Sequence, residues 1–120
     1  DKDYDLAVEF CVENIDRMGL CAGTHNEKSS LLLVDFMKKK NIVANDKRIF
    51  FSQLLGMSDH ISYNLSQNGY NVAKYVPYGP VKEVLPYLIR RAQENTSVKG
   101  QTGRELSLII KEKERRSKAK

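Results

Sequence analysis

A chain of 120 residues, 41% hydrophobic and 29% charged, has the composition of an ordinary globular domain and enough length for one modest core. No apolar run approaches the ~18–20 residues of a bilayer-spanning helix, and no secretory leader is expected ahead of the first helical stretch. The net charge of +5 gathers in Lys38–Lys40 and in a tail from Lys111 to Lys120 that contains no aromatic residue. A nucleic-acid reader interleaves rings with its cations, so no nucleic-acid partner is expected.

In chain order, residues 3–18 set Leu6, Phe10, Ile15 and Met18 on a stripe with Ala7, Cys11 and Asn14 beside them, which predicts an amphipathic helix ending near Gly19. Leu20 to Gly23 reads as a short strand. Asn26 is placed to cap a second helix whose apolar face includes Leu32, Leu33, Phe36 and Met37. The Lys38–Lys40 run suits the negative end of that helix's dipole. A second strand begins at Ile49 and runs toward Gly56. Ser58 is expected to cap a third helix, with Gly69 as its stop. Val72 to Val76 reads as a third strand, and Pro80 opens a fourth helix reaching about Asn95. Gly100 and Gly103 are expected to break the chain before a charged helix from about Arg104.

Cys11 and Cys21 belong to no CxxC pair and have no histidine at metal-ligand spacing, so both are expected to be small buried hydrophobes. Nothing in this usage demands an oxidising compartment, and an intracellular setting is expected. The first residue is Asp1 rather than Met, as a processed or excised piece would show.

Strands that alternate with helices predict an α/β fold with parallel strands and right-handed crossovers. Three strands do not complete such a domain. No GxGxxG or P-loop follows the first strand, as a doubly wound nucleotide-binding sheet would require. An eightfold β/α barrel needs about 250 residues. Pattern alone leaves another α/β arrangement and a sector of a (β/α)8 TIM-like barrel both open; the expectation is that residues 1–99 are the C-terminal sector of such a barrel and 100–120 a basic, charged tail.

Barrel sites lie at the C-terminal ends of the strands, and three clusters fall there. Gly23-Thr24-His25-Asn26 stands where a strand meets a helix N-terminus, offering backbone N–H groups, a hydroxyl and an imidazole to a polar cofactor. The plainer alternative is that Asn26 only caps the helix and His25 sits at the surface. Gln53 to Met57 supplies an apolar wall from Leu54 or Leu55, or simply ends a strand. Lys74 to Gly79 sets Tyr75 and Tyr78 about a proline, where either ring would face a ligand or cover the core. On the fourth helix Tyr87, Arg90, Arg91 and Glu94 share one stripe, apart from the apolar Val81, Val84, Leu85 and Leu88. Paired guanidiniums grip a carboxylate with several fixed donors. A solvent-facing Arg90–Glu94 pair is the alternative.

The segment QLLGMSDH…GYNVAKYVPYGPVKEVLPYLIRRAQEN resembles the C-terminal region of the proline dehydrogenase family, with GTHN at the expected distance upstream. The likeness runs from about Gly19 to Asn95. It implies a distorted (β/α)8 barrel holding FAD, which oxidises L-proline to Δ1-pyrroline-5-carboxylate and passes electrons to a quinone or other acceptor. Residue by residue, it implies that Arg90 and Arg91 bind the substrate carboxylate, Tyr75 packs on the proline ring and Leu54 lines its apolar side. Thr24 and His25 would contact FAD with Asn26 close by. Tyr87 and Glu94 would orient the arginines or touch the cofactor. The tyrosine at position 75 points toward proline, because hydroxyproline-using relatives tend to carry a smaller residue there. Hydroxyproline dehydrogenation within the same family is the alternative chemistry, and a non-catalytic binding module using the basic tail is the alternative class.

The family's other flavin contacts lie on strands that this sequence does not include. The resemblance therefore implies dependence on the remainder of the barrel, self-association of the piece through its open edges, and no activity of the piece alone. It also implies peripheral membrane contact for the parent enzyme, and a mitochondrial setting if eukaryotic, or a cytoplasmic or inner-membrane-peripheral one if bacterial.

Overall fold

Three short apolar segments pair side by side in a parallel sheet: β1 (Leu20–Gly23), β2 (Ile49–Leu54) and β3 (Val72–Tyr75), in that order. Leu20 lies beside Ile49 and Gly23 beside Ser52, while Phe51 lies beside Val72 and Leu54 beside Tyr75. The computed structural model describes residues 1–97 and 101–119. Its helices are α1 (Lys2–Glu13), α2 (Glu27–Lys39), α3 (Asp59–Gln67), α4 (Val81–Ser97) and α5 (Gln101–Lys118). Residues 1–75 form one compact unit and 76–120 a second.

In the first unit α1 packs on α2 and β1, and α3 on β2 and β3. Alternation along the strands decides which side chains those helices cover. Ala22, Ile49, Phe51 and Gln53 are buried in register, each at most 2% exposed. Their neighbours Cys21, Phe50 and Tyr75 project to the other face and are exposed. Phe51 is fully enclosed and meets Tyr70 edge to face at 5.7 Å, a favoured aromatic arrangement.

The two ends of α2 and the end of α3 follow local rules. Asn26 accepts the N–H groups of Lys28 and Ser29 on its side chain, capping α2 as the sequence predicts. Asn41 then adopts a left-handed φ of 53°, with Ile42 N–H donating to the Met37 carbonyl at 2.9 Å. Gly69, at φ 85°, ends α3 the same way, with Tyr70 N–H donating to the Leu65 carbonyl. Both are six-to-one closures with a left-handed residue after the cap, a role open to glycine and asparagine.

Several expectations are corrected. α1 stops at Glu13 rather than near Gly19, because the Asn14 side chain donates to the Phe10 carbonyl at 2.9 Å and competes with the next helical turn. Its buried residues are Val8 and Val12, while Leu6 and Phe10 are more than half exposed. Cys21 is exposed and Cys11 only half-buried, because Ala22 takes the helix-covered side of β1. β3 ends at Tyr75, one residue short of Val76. α5 starts at Gln101 and includes Gly103, which therefore does not break the chain; Gly100 lies outside the described residues.

At the start of β2, Arg48 donates to Asp46 from its backbone N–H, Nε and Nη2, at 2.8 to 2.9 Å. These bonds hold the Asp46 carboxyl at about 2, below its ordinary 3.8. A depressed native value means the stabilisation is complete above the unfolded value and disappears as pH falls through the native one. Thermal denaturation between pH 5 and 2 should therefore show Asp46→Asn less stable than the parent at pH 5, with the gap closing toward pH 2. A constant gap would mean that the carboxylate charge is not what the bracket uses.

Candidate functional site

The C-terminal ends of the strands carry Thr24, His25, Asn26, Leu54 and Tyr75 among the side chains singled out in the sequence. Just past the end of β1, Thr24 N–H donates to the Ser52 carbonyl at 3.1 Å. The Thr24 hydroxyl accepts the Asn26 N–H at 3.0 Å. The backbone donors of Thr24, Asn26, Lys28 and Ser29 are thus satisfied within the junction. Of the Gly23–Asn26 cluster expected to offer backbone N–H groups, Thr24 and Asn26 spend theirs on the Ser52 carbonyl and the Thr24 hydroxyl. The polar group this junction presents is the half-buried imidazole of His25, whose Nδ1 lies 2.8 Å from the Ser58 hydroxyl.

Ser58 stands at the N-cap position of α3, but its side chain makes no capping bond. It sits in the left-handed region at φ 51°, and that backbone turns its hydroxyl to His25. Gln53 ties the strand ends together: its Nε2 donates to the Thr24 carbonyl at 3.3 Å, and its Oε1 accepts the Ser62 hydroxyl at 2.9 Å. A 2% exposed amide with both ends bonded cross-links β1, β2 and α3. Sequence reasoning passed over Gln53 and placed Ser58 at the cap of α3, where it stands, but without the side-chain capping bond. The clue available was the odd position of Gln53 in the Ile49, Phe51, Gln53 alternation, which sends a polar residue into the helix-covered layer.

Leu54 and Tyr75 are register partners on the face away from the helices, with Tyr75 51% exposed. The structure thus brings these two together as an apolar pair at the strand ends. Tyr78 is 98% exposed and takes no part in the core of its own unit.

In the second unit the α4 stripe has a defined internal geometry. The Arg91 guanidinium carbon lies 5.1 Å from the Tyr87 ring centre, and its Nη2 donates to Glu94 Oε1 at 2.8 Å. This ion pair involves Arg91, three residues from Glu94, rather than the Arg90–Glu94 spacing considered from sequence. Tyr87 and Glu94 hold the Arg91 fork from two sides. Its Nε is buried and is the one such side-chain atom without a hydrogen-bond partner among the described residues. A buried donor left unsatisfied is costly and is a natural place for an acceptor to arrive. Arg90 beside it is exposed.

A sequence profile described as proline dehydrogenase matches residues 1–104. The chain belongs to the proline dehydrogenase family. It is 45% identical over 106 residues to the mitochondrial proline dehydrogenase 1 of Drosophila melanogaster, covering 88% of this chain and 16% of that protein. The human mitochondrial proline dehydrogenase 1 is 42% identical over 109 residues, covering 88% and 18%. The hydroxyproline dehydrogenase of Xenopus laevis is 44% identical over 115 residues, covering 96% and 25%. The chain thus spans a quarter or less of the length of these three relatives. No solved structure matches it. Identity alone does not separate relatives carrying the two substrate names. Among the described residues no group of His, Cys, Asp and Glu is placed to hold a metal ion, and no helix is long and apolar enough to cross a membrane.

The Asn26 cap supports the strand-to-helix junction on which His25 sits. Asn26→Ala should lower stability by about 1 kcal/mol, and Asn26→Asp should restore most of the loss. Denaturant midpoints of the two variants measure this. Equal losses in both would remove capping as the cause.

Proposed function

We propose that this chain is the C-terminal sector of the (β/α)8 barrel of an FAD-dependent proline dehydrogenase, with its substrate wall at Leu54 and Tyr75 and its carboxylate clamp at Arg90 and Arg91. The observation that carries the reading is Arg91: a guanidinium faced by Tyr87, braced by Glu94, and left with a buried unpartnered Nε in a family that acts on an amino acid. Its substrate is L-proline and its product 1-pyrroline-5-carboxylate. Residues 1–99 form the barrel part and 100–120 the basic tail. The rest of the barrel supplies the remaining strands, and a quinone or similar acceptor takes the electrons.

The residues present fit a flavin site. Thr24, His25 and Asn26 offer a hydroxyl, an imidazole and an amide at one strand end, and the resemblance assigns Glu94 on α4 a role toward the same cofactor or in orienting the arginines. FAD, when bound, supplies the two-electron acceptor chemistry that no amino-acid side chain provides. The protein's part is to bind and orient. Two guanidiniums fix the carboxylate, which decides the carbon presented for oxidation, while Leu54 and Tyr75 close on the apolar ring and exclude water. Fixing geometry in this way accounts for a large share of many enzymatic rate enhancements.

The similarity to hydroxyproline dehydrogenase favours one second reading, oxidation of hydroxyproline at the same site. Tyr75 argues for proline, as the family resemblance implies, because hydroxyproline-using relatives tend to carry a smaller residue at this position. A binding role for the tail is weaker, because Arg115 and Arg116 both bond to Glu112 of their own helix. The relatives' names place them in mitochondria, and a mitochondrial setting, with peripheral contact to the inner membrane, is proposed if the source is eukaryotic. The strand edges β1 and β3 lack a further partner among the described residues, so self-association of the isolated chain is proposed as well.

In a full-length enzyme carrying this segment, Arg90→Met or Arg91→Met should raise the KM for proline about ten- to a hundredfold while bound flavin stays largely intact. Steady-state kinetics and the flavin spectrum read both quantities, and an unchanged KM in both variants rejects the clamp. Tyr75→Ser should lower the ratio of proline to hydroxyproline turnover. If that ratio stays put, the ring does not face the substrate.

A further inference from the structure

The strand β3 sends Lys74 to the helix-covered side of the sheet, opposite to the face that carries Tyr75. Its side chain is 21% exposed and runs to the point where β2 turns into α3. There the ammonium donates to the Met57 carbonyl at 2.7 Å and the Leu54 carbonyl at 3.4 Å, and it pairs with Asp59 Oδ1 at 2.9 Å. An ammonium has three protons, and three acceptors surround this one.

Both carbonyls belong to the turn between β2 and α3. Met57 N–H closes back on the Leu54 carbonyl at 3.1 Å around the left-handed Gly56 at φ 79°, and the next residue, Ser58, is left-handed as well at φ 51°. Glycine adopts that conformation freely, whereas serine does so only when its surroundings hold it there. Leu54 enters the turn as the partner of Tyr75, and Ser58 leaves it with its hydroxyl against His25. One ammonium thus grips the short stretch that sets both side chains.

We propose that Lys74 is a positioning residue of the active site: its clamp on the Leu54 and Met57 carbonyls holds Leu54 opposite Tyr75 and the Ser58 hydroxyl against His25. This rests on the reading of Leu54 and Tyr75 as the substrate wall and of His25 as a cofactor contact. The role assigned to Lys74 is exerted through the turn, by its bonds to the Leu54 and Met57 carbonyls and Asp59. Methionine at this position matches the length and supplies no donor. Arginine keeps the charge and enough N–H groups for Asp59 and one carbonyl.

The test uses the full-length holoenzyme that carries this segment, with Lys74→Met, Lys74→Arg and Arg91→Met measured side by side. KM and kcat for proline, FAD retained after gel filtration, and the thermal midpoint are recorded for each. Lys74→Met should raise the KM about five- to tenfold, the fold-change of one or two lost hydrogen bonds, and should retain less FAD. Lys74→Arg should return the KM to within about twofold of the parent. A purely structural lysine would lower the thermal midpoint and yield while leaving the KM and flavin content of the folded enzyme unchanged, and that result overturns the proposal. If Lys74→Met gives no soluble enzyme, Lys74→Gln, which keeps one amide donor, carries the same comparison. A raised KM in Arg91→Met alone removes Lys74 and leaves the site reading standing. An unchanged KM in both takes down that reading and the proposal together.

Discussion

Phe51 is enclosed because α1, α2 and α3 lie on one side of a three-stranded sheet, and the rest of the first unit follows from that one-sided burial. A parallel strand is ordinarily covered on both faces and then reads as a continuous apolar run. In β2 the residues facing the helices are Ile49, Phe51 and Gln53, while Phe50, Ser52 and Leu54 face away. Burial of the first set fixes the register. With the register fixed, Leu54 has no choice but to stand beside Tyr75.

The strand ends show how stability and function share one backbone. Gln53 and Lys74 lie on the helix-covered side, yet both bond to groups at the C-terminal rim: the Thr24 carbonyl for one, the Leu54 and Met57 carbonyls for the other. Polar atoms buried in such positions contribute little net energy, but leaving any of them unpaired is expensive. Their effect is specificity of geometry. The turn between Leu54 and Ser58 has side-chain partners from β3, and the hydroxyl at its far end reaches the junction after β1. Rim residues from three strands are thereby locked to one another.

Much of this was legible in the chain. Asn26 as a cap, Gly69 as a stop and the three strands came from local chemistry, in which short polar side chains, glycine and β-branched runs announce themselves. The errors arose where a tertiary partner decides. Leu6 and Phe10 were as apolar as Val8 and Val12, and only the position of α2 chooses between the stripes. Ser58 has the composition of a cap, but His25, 33 positions away, claims its hydroxyl. The family likeness rested on contiguous motifs and survived these errors because it never depended on them. The Arg91 pairing turned on a choice between three- and four-residue spacing, which helical periodicity alone leaves open.

The exposed thiol of Cys21 has a practical side. It projects from β1 on the face opposite to the helices, on the same side of the sheet as Leu54 and Tyr75, while Cys11 is half-buried on α1. An alkylating reagent meets the first sulfur wherever that face stands open to water and is excluded wherever other protein covers it. The chain therefore carries its own gauge of enclosure. The labelling rate of one native side chain, compared between this piece and a longer protein containing it, counts how completely the sheet has been wrapped.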